Sequence, residues 1–236
     1  MLSDIHANLI ALDAVLADAG PVDAVWHLGD VVGYGPDPDA VVERLASLGA
    51  SGVRGNHDAA ACGGQEIDWF NPEARRAIEW TREVISARTR AWLAALPQRW
   101  SSGDYSLVHG SPRDPTWEYV LSAPVARAGL TALGTRHGLH GHTHVPLAWR
   151  AEDDWVTMVD PRAEPVLELD ERSTLVNPGS VGQPRDGDPA AAYAVWDLEA
   201  SSVEIRRVPY DAAEARRRIH AAGLPALLGD RLLRGR

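Results

Sequence analysis

The chain has 236 residues, 45% hydrophobic and 24% charged, an ordinary globular composition with enough length to bury a substantial core. Its 33 acidic and 23 basic residues give a formal net charge of −10, which argues against gripping nucleic acid by broad attraction, and every basic residue is arginine, which excludes lysine chemistry. The single cysteine, Cys62, rules out an internal disulfide and points to the cytoplasm; no apolar run approaches the roughly 20 residues that cross a bilayer, and the N-terminus lacks the basic-then-apolar order of a signal peptide.

The first half alternates helices and strands. "ANLIALDAVLADAG" places Leu9, Leu12 and Leu16 at helical spacing, with Asn8 as N-cap and Gly20 as stop. "VDAVWHLGD" reads as a strand ending at Asp30. "DPDAVVERLASLG" restarts a helix with Asp37 as cap, Pro38 in the first turn and Gly49 closing it. "SGVRGNHD" reads as a short strand running into a loop. In "NPEARRAIEWTREVI", Asn71 caps, Pro72 opens, and Ala74, Ile78, Thr81 and Ile85 share a face; another helix ends before Pro97.

After residue 100, "DYSLVHGS" and "HGLHGHTH" read as strands entering loops, with a helix near 123–134 between them. The β-like runs "DWVTMVD", "EPVLELD", "STLVNPG", "AAYAVWDL" and "SVEIRRVPY" follow, separated by short Asp, Gly and Pro gaps that suggest antiparallel meanders. A last helix starts near Asp211, with Glu214 placed for a capping box, and stops at Gly223. No repeat, low-complexity tract or linker divides the chain. Residues 1–236 therefore read as one α/β domain, two sheets face to face with helices outside.

Acidic and histidine residues meet glycine at the predicted strand ends: Asp4-x-His6, Gly29-Asp30, Gly55-Asn56-His57-Asp58, His109-Gly110 and Gly141-His142-Thr143-His144. Loops at strand ends are where α/β proteins assemble sites. If the local chain is extended, Asp4 and His6 share a face, as do His142 and His144. Imidazole and carboxylate donors without thiolate suit Mn, Fe, Zn, Co or Ni. Seven donors exceed the needs of one tetrahedral ion; with a bridging carboxylate they suffice for two, roughly 3.5–4 Å apart. His57 and Asp58 are left over.

Five blocks, "SDIHAN", "GDVVGYG", "GNHD", "VHGS" and "GHTH", resemble in order and spacing the signature of the calcineurin-like metallophosphoesterases, and "NPGSVGQPR" and the tail resemble small bacterial members. The resemblance implies a four-layer αββα sandwich of two mixed sheets. It implies one metal held by Asp4, His6, Asp30 and His144, and a second held by Asp30 as bridge with Asn56, His109 and His142. A bridging hydroxide attacks phosphorus, His57 protonates the leaving group and Asp58 orients its ring. The implied activity is hydrolysis of a small phosphoester, most simply a phosphodiester, with nucleotide-derived esters among the candidates.

The serine/threonine protein phosphatase branch carries Asp-Arg-Gly after its Gly-Asp block; here "GDVVGYGPD" has no such arginine, which disfavours a protein phosphatase. A non-catalytic scaffold of the same fold is expected to lack ligands, and none is missing. The acidic balance disfavours a nuclease. Trp117 and Tyr119 are candidate walls for an aromatic group, and Arg113 and Arg185 are candidate phosphate contacts, with "NPGSVGQPRDGDP" either cradling phosphate through backbone N–H groups or lying beneath the site. Cys62 reads as a small packed residue. Relatives carry several apolar residues before the first block, whereas only Met1 and Leu2 precede Ser3; a stunted or trimmed first strand is expected.

Overall fold

The computed structural model describes residues 1–236, the side chain of Glu66 excepted. In chain order its elements are α1 (Leu9–Ala19), β1 (Trp26–His27), α2 (Pro38–Ser47), β2 (Ser51–Gly52), α3 (Asn56–Ala61), α4 (Pro72–Val84), α5 (Ala87–Ala95), β3 (Arg99–Ser102) and β4 (Tyr105–Val108). Then follow α6 (Ala123–Thr131), β5 (His137–Leu139), β6 (Leu147–Ala151), β7 (Val156–Val159), β8 (Val166–Glu168), β9 (Thr174–Asn177), β10 (Ala191–Asp197), β11 (Ser202–Val208), α7 (Ala212–Ala221) and α8 (Ala226–Asp230). Short 3-10 turns cover Gln65–Trp69 and Arg231–Leu233.

One sheet runs β3-β4-β5-β9-β6-β7, parallel at its centre and antiparallel at both edges. The other is formed by two pieces, the parallel pair β1-β2 and the antiparallel β10-β11-β8. Met1 and Leu2 splice them. Leu2 N–H donates to Trp26 O (2.8 Å) and Leu28 N–H to Leu2 O (2.9 Å), while on the other side Ala194 N–H donates to Met1 O (3.0 Å). Leu2 itself contributes a single parallel bridge, to His27. Beyond Met1 a cavity of about 660 Å³ opens between Val25–Trp26 and Tyr193–Glu199.

The sheets face each other across a core of Leu28, Val53, Leu107, Leu139, Val176, Ala194 and Val203, all buried. Outside the spliced sheet, α1, α2 and α5 bury Leu12, Val15, Val41, Leu45 and Leu93 against Ile5, Val181 and Tyr193. Outside the six-stranded sheet, Ala126 of α6 packs on Trp149 and Leu175. The layers are therefore helix, sheet, sheet, helix, a mixed α/β sandwich as expected.

Several expectations are met in atomic detail. Asn8 Oδ1 accepts from Ala11 N–H (3.1 Å), Asn71 Oδ1 from Ala74 N–H (2.9 Å) and Asp211 Oδ1 from Glu214 N–H (2.8 Å), each capping the helix that follows. Others differ. Asp37 makes no side-chain cap among the described residues and sits 3.6 Å from Arg218, and the Glu214 carboxylate turns to Arg217 and Arg218 instead of closing a box. "GNHD" does not continue as a loop but opens α3. The β-rich half is not a meander: β8 crosses to the other sheet, and β9 inserts between β5 and β6.

Candidate metal centre and substrate pocket

The candidate ligands lie just past the strand ends, where the backbone turns instead of extending. Asp4, His6, Asp30, His142 and His144 have φ of +50°, +50°, +50°, +67° and +60°, five of the eight positive-φ non-glycine residues among those described. The expected extended chain at Asp-x-His and His-x-His is therefore corrected. Left-handed backbone costs these residues about 1–3 kcal/mol each, and such strain persists only where surrounding contacts impose it. Here the contacts are numerous: His6 N–H donates to Asp30 O (2.9 Å), Gly182 N–H to Asp4 O (3.0 Å) and Gly141 N–H to His109 O (2.9 Å). Gly29 and Gly55 are required by close approach: a Cβ on Gly29 would lie 2.5 Å from Gly55 N, and one on Gly55 would lie 2.0 Å from Asp30 Oδ1.

These turns aim seven buried side chains at one another. Asp4, His6 and His144 form one group of donor atoms and Asp30, His109 and His142 another. Asp30 Oδ2 stands between them, 3.7 Å from His6 Nε2 and 3.3 Å from His109 Nε2, and Asn56 Oδ1 is 3.0 Å from His109 Nε2. Asp30 Oδ1 is held by His57 N–H at 2.9 Å.

The histidine tautomers show whether the cluster suits cations. A carbonyl oxygen can only accept, so a ring nitrogen facing one carries the hydrogen and leaves its partner nitrogen with a lone pair. His6 Nδ1 faces Val32 O (3.2 Å) and His144 Nδ1 faces Gln183 O (2.6 Å). Their Nε2 lone pairs therefore point at each other across 3.1 Å, beside Asp4 Oδ1 at 3.4 Å from His144 Nε2. Burial lowers both imidazoles well below their usual pKa, so protonation does not relieve the opposition. A divalent cation does.

The second group obeys the same rule, with His109 Nδ1 on Leu28 O (2.8 Å) and His142 Nε2 on Trp117 O (3.2 Å). Burial alone would lower His109, but Asp30 overrides it and raises it to about 9. Its Nε2 proton then points among His142 Nδ1, Asn56 Oδ1 and Asp30 Oδ2, and a cation there must displace it. Burial also opposes charge on Asp30, yet His109, His57 and His6 hold it well below the carboxylate range, whereas burial pushes Asp4 up to about 6. The first group fits a divalent ion by donor type and by lone-pair direction, the second by donor type once the His109 proton is displaced.

The sequence profile of the calcineurin-like phosphoesterase superfamily domain matches residues 1–201. The chain belongs to that superfamily. This calcineurin-like phosphoesterase is similar to an uncharacterised protein of Methanocaldococcus jannaschii, 36% identical over 247 aligned residues covering 100% of this chain and 97% of the relative. Its structure is similar to that of a metallophosphoesterase from Sphaerobacter thermophilus, with a TM-score of 0.92 and 44% identity over 100% of this chain and 97% of that one. A symmetrical bis(5'-nucleosyl)-tetraphosphatase of Aromatoleum aromaticum is 31% identical over 111 residues, 44% of this chain and 39% of the relative. The protein is a metal-dependent phosphoester hydrolase.

Above the donors a pocket of about 100 Å³ is lined by Asp30, Asn56, His57, His142 and His144, with Trp69, Phe70, Asn71, Trp117, Tyr119 and Arg185. Tyr119 stacks on His142 with ring centroids 3.9 Å apart, and Trp117 meets Trp69 at 5.1 Å and Phe70 at 5.2 Å. Trp69, Phe70 and Asn71 were not anticipated as pocket residues; the only signal was "DWFNP", an aromatic pair directly before a helix cap.

Two expectations are corrected and one open choice is decided. Asp58 does not orient the His57 ring: its Oδ1 accepts from Val31 N–H (2.8 Å) and Val32 N–H (3.1 Å), and its Oδ2 from Gly55 N–H (3.0 Å). Because α3 begins at Asn56, consecutive side chains diverge by about 100°. His57 is placed instead by ring contacts with Tyr34 (4.4 Å), His6 (4.8 Å) and Phe70 (4.8 Å), and its Nδ1 has no partner among the described residues. Arg113 is not brought to the pocket, because Glu118 captures its guanidinium. The "NPGSVGQ" loop offers no free phosphate cradle, since the N–H groups of Gly179, Val181, Gly182 and Gln183 go to Asn177 Oδ1, Ser3 O, Asp4 O and Ser180 Oγ. The loop braces the site from below. Burial raises the Cys62 thiol, the opposite of what a nucleophile needs.

Proposed function

We propose that residues 1–236 act as one dinuclear phosphodiesterase domain, cytoplasmic, hydrolysing a small ester with an aromatic substituent such as a nucleoside. The observation that carries this reading is the donor set itself: two groups of buried donors joined at Asp30 Oδ2, with the lone pairs of His6 and His144 opposed at 3.1 Å. Asp4, His6, Asp30 and His144 would hold one ion and Asp30, Asn56, His109 and His142 the other; manganese is the ion of choice for assay. Bound divalent ions supply Lewis acidity and hydroxide near neutral pH.

The chain's own side chains do the rest. Trp69, Phe70, Trp117 and Tyr119 exclude water along one wall and present faces on which an aryl group or base stacks. Arg185, within the pocket lining, balances charge on the phosphoryl oxygens. His57 stands beside Asp30 and His6 as the proton donor to the leaving oxygen. Burial lowers it to about 4 in the free protein, so an anionic ester is needed beside the ring to favour the protonated form. The tetraphosphatase similarity supports a nucleotide-derived substrate.

Mn-loaded protein should hydrolyse bis(p-nitrophenyl) phosphate, lose the activity to chelator and regain it with Mn. Asp30→Asn should cut kcat/KM by at least about 10³-fold, since it removes charge shared by both groups. His57→Ala should cost more with poor leaving groups than with p-nitrophenolate. Absence of turnover on both aryl diesters and aryl monoesters, with two ions per chain bound, defeats the reading.

A further inference from the structure

We infer that Arg231, from the C-terminal 3-10 turn, joins Arg185 in an anion subsite beside the metal centre, and that this subsite holds a second phosphoryl group joined to the scissile one. The inference rests on the phosphodiesterase reading and narrows its substrate to esters of a phosphoanhydride chain.

Arg185 Nη2 donates to Gln183 Oε1 (2.9 Å) and approaches Tyr34 OH (3.4 Å), with its guanidinium 5.7 Å from the Tyr34 ring centroid. Arg231 Nη1 reaches the same Gln183 Oε1 at 3.3 Å. Two guanidinium groups thus share one neutral oxygen. Neither has a side-chain carboxylate within ion-pair distance among the described residues; Arg185 Nε is buried with no partner, and Arg231 Nε is taken by the main-chain oxygen of Arg236 (2.5 Å). Burial and Arg185 together pull Arg231 below its usual pKa, with Glu73 acting on it only from beyond ion-pair range. In a chain with 33 acidic residues, pairing was available: Arg162, Arg172 and Arg206 each have a carboxylate two positions away. Two guanidinium groups whose Nη atoms meet one neutral oxygen and no side-chain carboxylate make a site for an anion.

The pair is also rigidly placed. Leu228 and Leu232, on either side of Arg231, are buried with Tyr34, Ala74 and Ile219. Gly187 N–H donates to Gly235 O (2.9 Å), binding the tail to the loop that carries Arg185, and Arg231 Nε donates to Arg236 O (2.5 Å). The order in space runs outward. His144 O accepts from Arg185 N–H (3.3 Å), Arg185 lines the metal pocket, and Arg231 lies one amide oxygen further away and does not line it. A phosphoryl group at the metal centre can engage Arg185. Engaging Arg231 as well takes a second one.

The test compares ligands that differ by one phosphoryl group. Calorimetry on Mn-loaded protein should show inorganic pyrophosphate binding at least tenfold tighter than orthophosphate. Arg231→Gln should remove most of that margin and Arg231→Lys restore part of it. Gln183→Glu, which offers both arginines a built-in carboxylate, should remove it too and serves if Arg231→Gln folds poorly. In turnover, Arg231→Gln should lower the kcat/KM ratio of a dinucleoside polyphosphate to bis(p-nitrophenyl) phosphate at least tenfold, through KM. Equal binding of the two anions by the unsubstituted protein, or an unchanged margin in Arg231→Gln and Gln183→Glu, overturns the subsite. Failure of all ester hydrolysis defeats the phosphodiesterase reading instead, while the anion margin still decides this one.

Discussion

His27 is fully buried in β1 with both ring nitrogens unpartnered among the described residues, its ring 5.6 Å from Trp92. Burial lowers it from 6.5 to about 4. The unfolded chain therefore takes up a proton near pH 6.5 that the folded protein refuses until about pH 4. Between those values the unfolded state binds more protons, so stability rises with pH and falls on acidification, by about 3 kcal/mol in all from this one group. Urea midpoints from pH 7 to pH 4.5 should show the loss, and His27→Phe should flatten the curve by about one proton; an unaltered slope would contradict the assignment. The candidate ligands were legible as letters because donor type is printed in the sequence, whereas the carbonyl contacts that fix their tautomers, such as Val32 O on His6 and Gln183 O on His144, were not. Arg113 was misread for the converse reason: its neighbour Glu118, five residues away, takes its charge, and no pattern in the sequence announces that pairing.

At the scale of elements, Asn8 does two things with one amide. Its Oδ1 caps α1 through Ala11 N–H (3.1 Å), and its Nδ2 donates to Gly182 O (3.0 Å), pinning the helix start to the loop beneath Asp4. Asn8→Ala loses both and should destabilise by about 1–3 kcal/mol, whereas Asn8→Asp keeps the cap and loses only the pin. If the two variants melt together, the cap contributes nothing; if Asn8→Asp melts with the unsubstituted protein, the pin contributes nothing. Helices were legible here because capping and apolar spacing are local: Asn8, Asn71 and Asp211 act as caps where expected. Strands were legible less evenly. β6 was missed because it follows Pro146 directly after the histidine motif, and β3 because its residues are largely exposed and polar. Pairing was not legible at all for β8 and β9, whose partners lie 24 or more residues away.

For the whole molecule, seven buried polar side chains converge from both halves of the chain, and three of the four candidate imidazoles are disfavoured as cations by burial. Metal that binds only the folded form stabilises it by about 2.7 kcal/mol at a hundredfold excess over Kd. Chelated protein should therefore melt several degrees below Mn-loaded protein, with the gap growing with free Mn; coincident melting curves would show that the cluster does not bind ions tightly. No helix among the described residues is long and apolar enough to cross a membrane. The sandwich was expected from helix–strand alternation followed by β-rich sequence, and the shared core of Leu28, Leu107, Leu139 and Val203 is where the two halves meet.

The splice at Met1 and Leu2 has a practical consequence for anyone handling the protein. Met1 and Leu2 hydrogen-bond to both pieces of the spliced sheet, so a substitution at either is expected to loosen that join together with the adjoining segment that supplies Asp4 and His6. The turn at 152–155, at the outer edge of the six-stranded sheet, offers a far quieter place for an insertion.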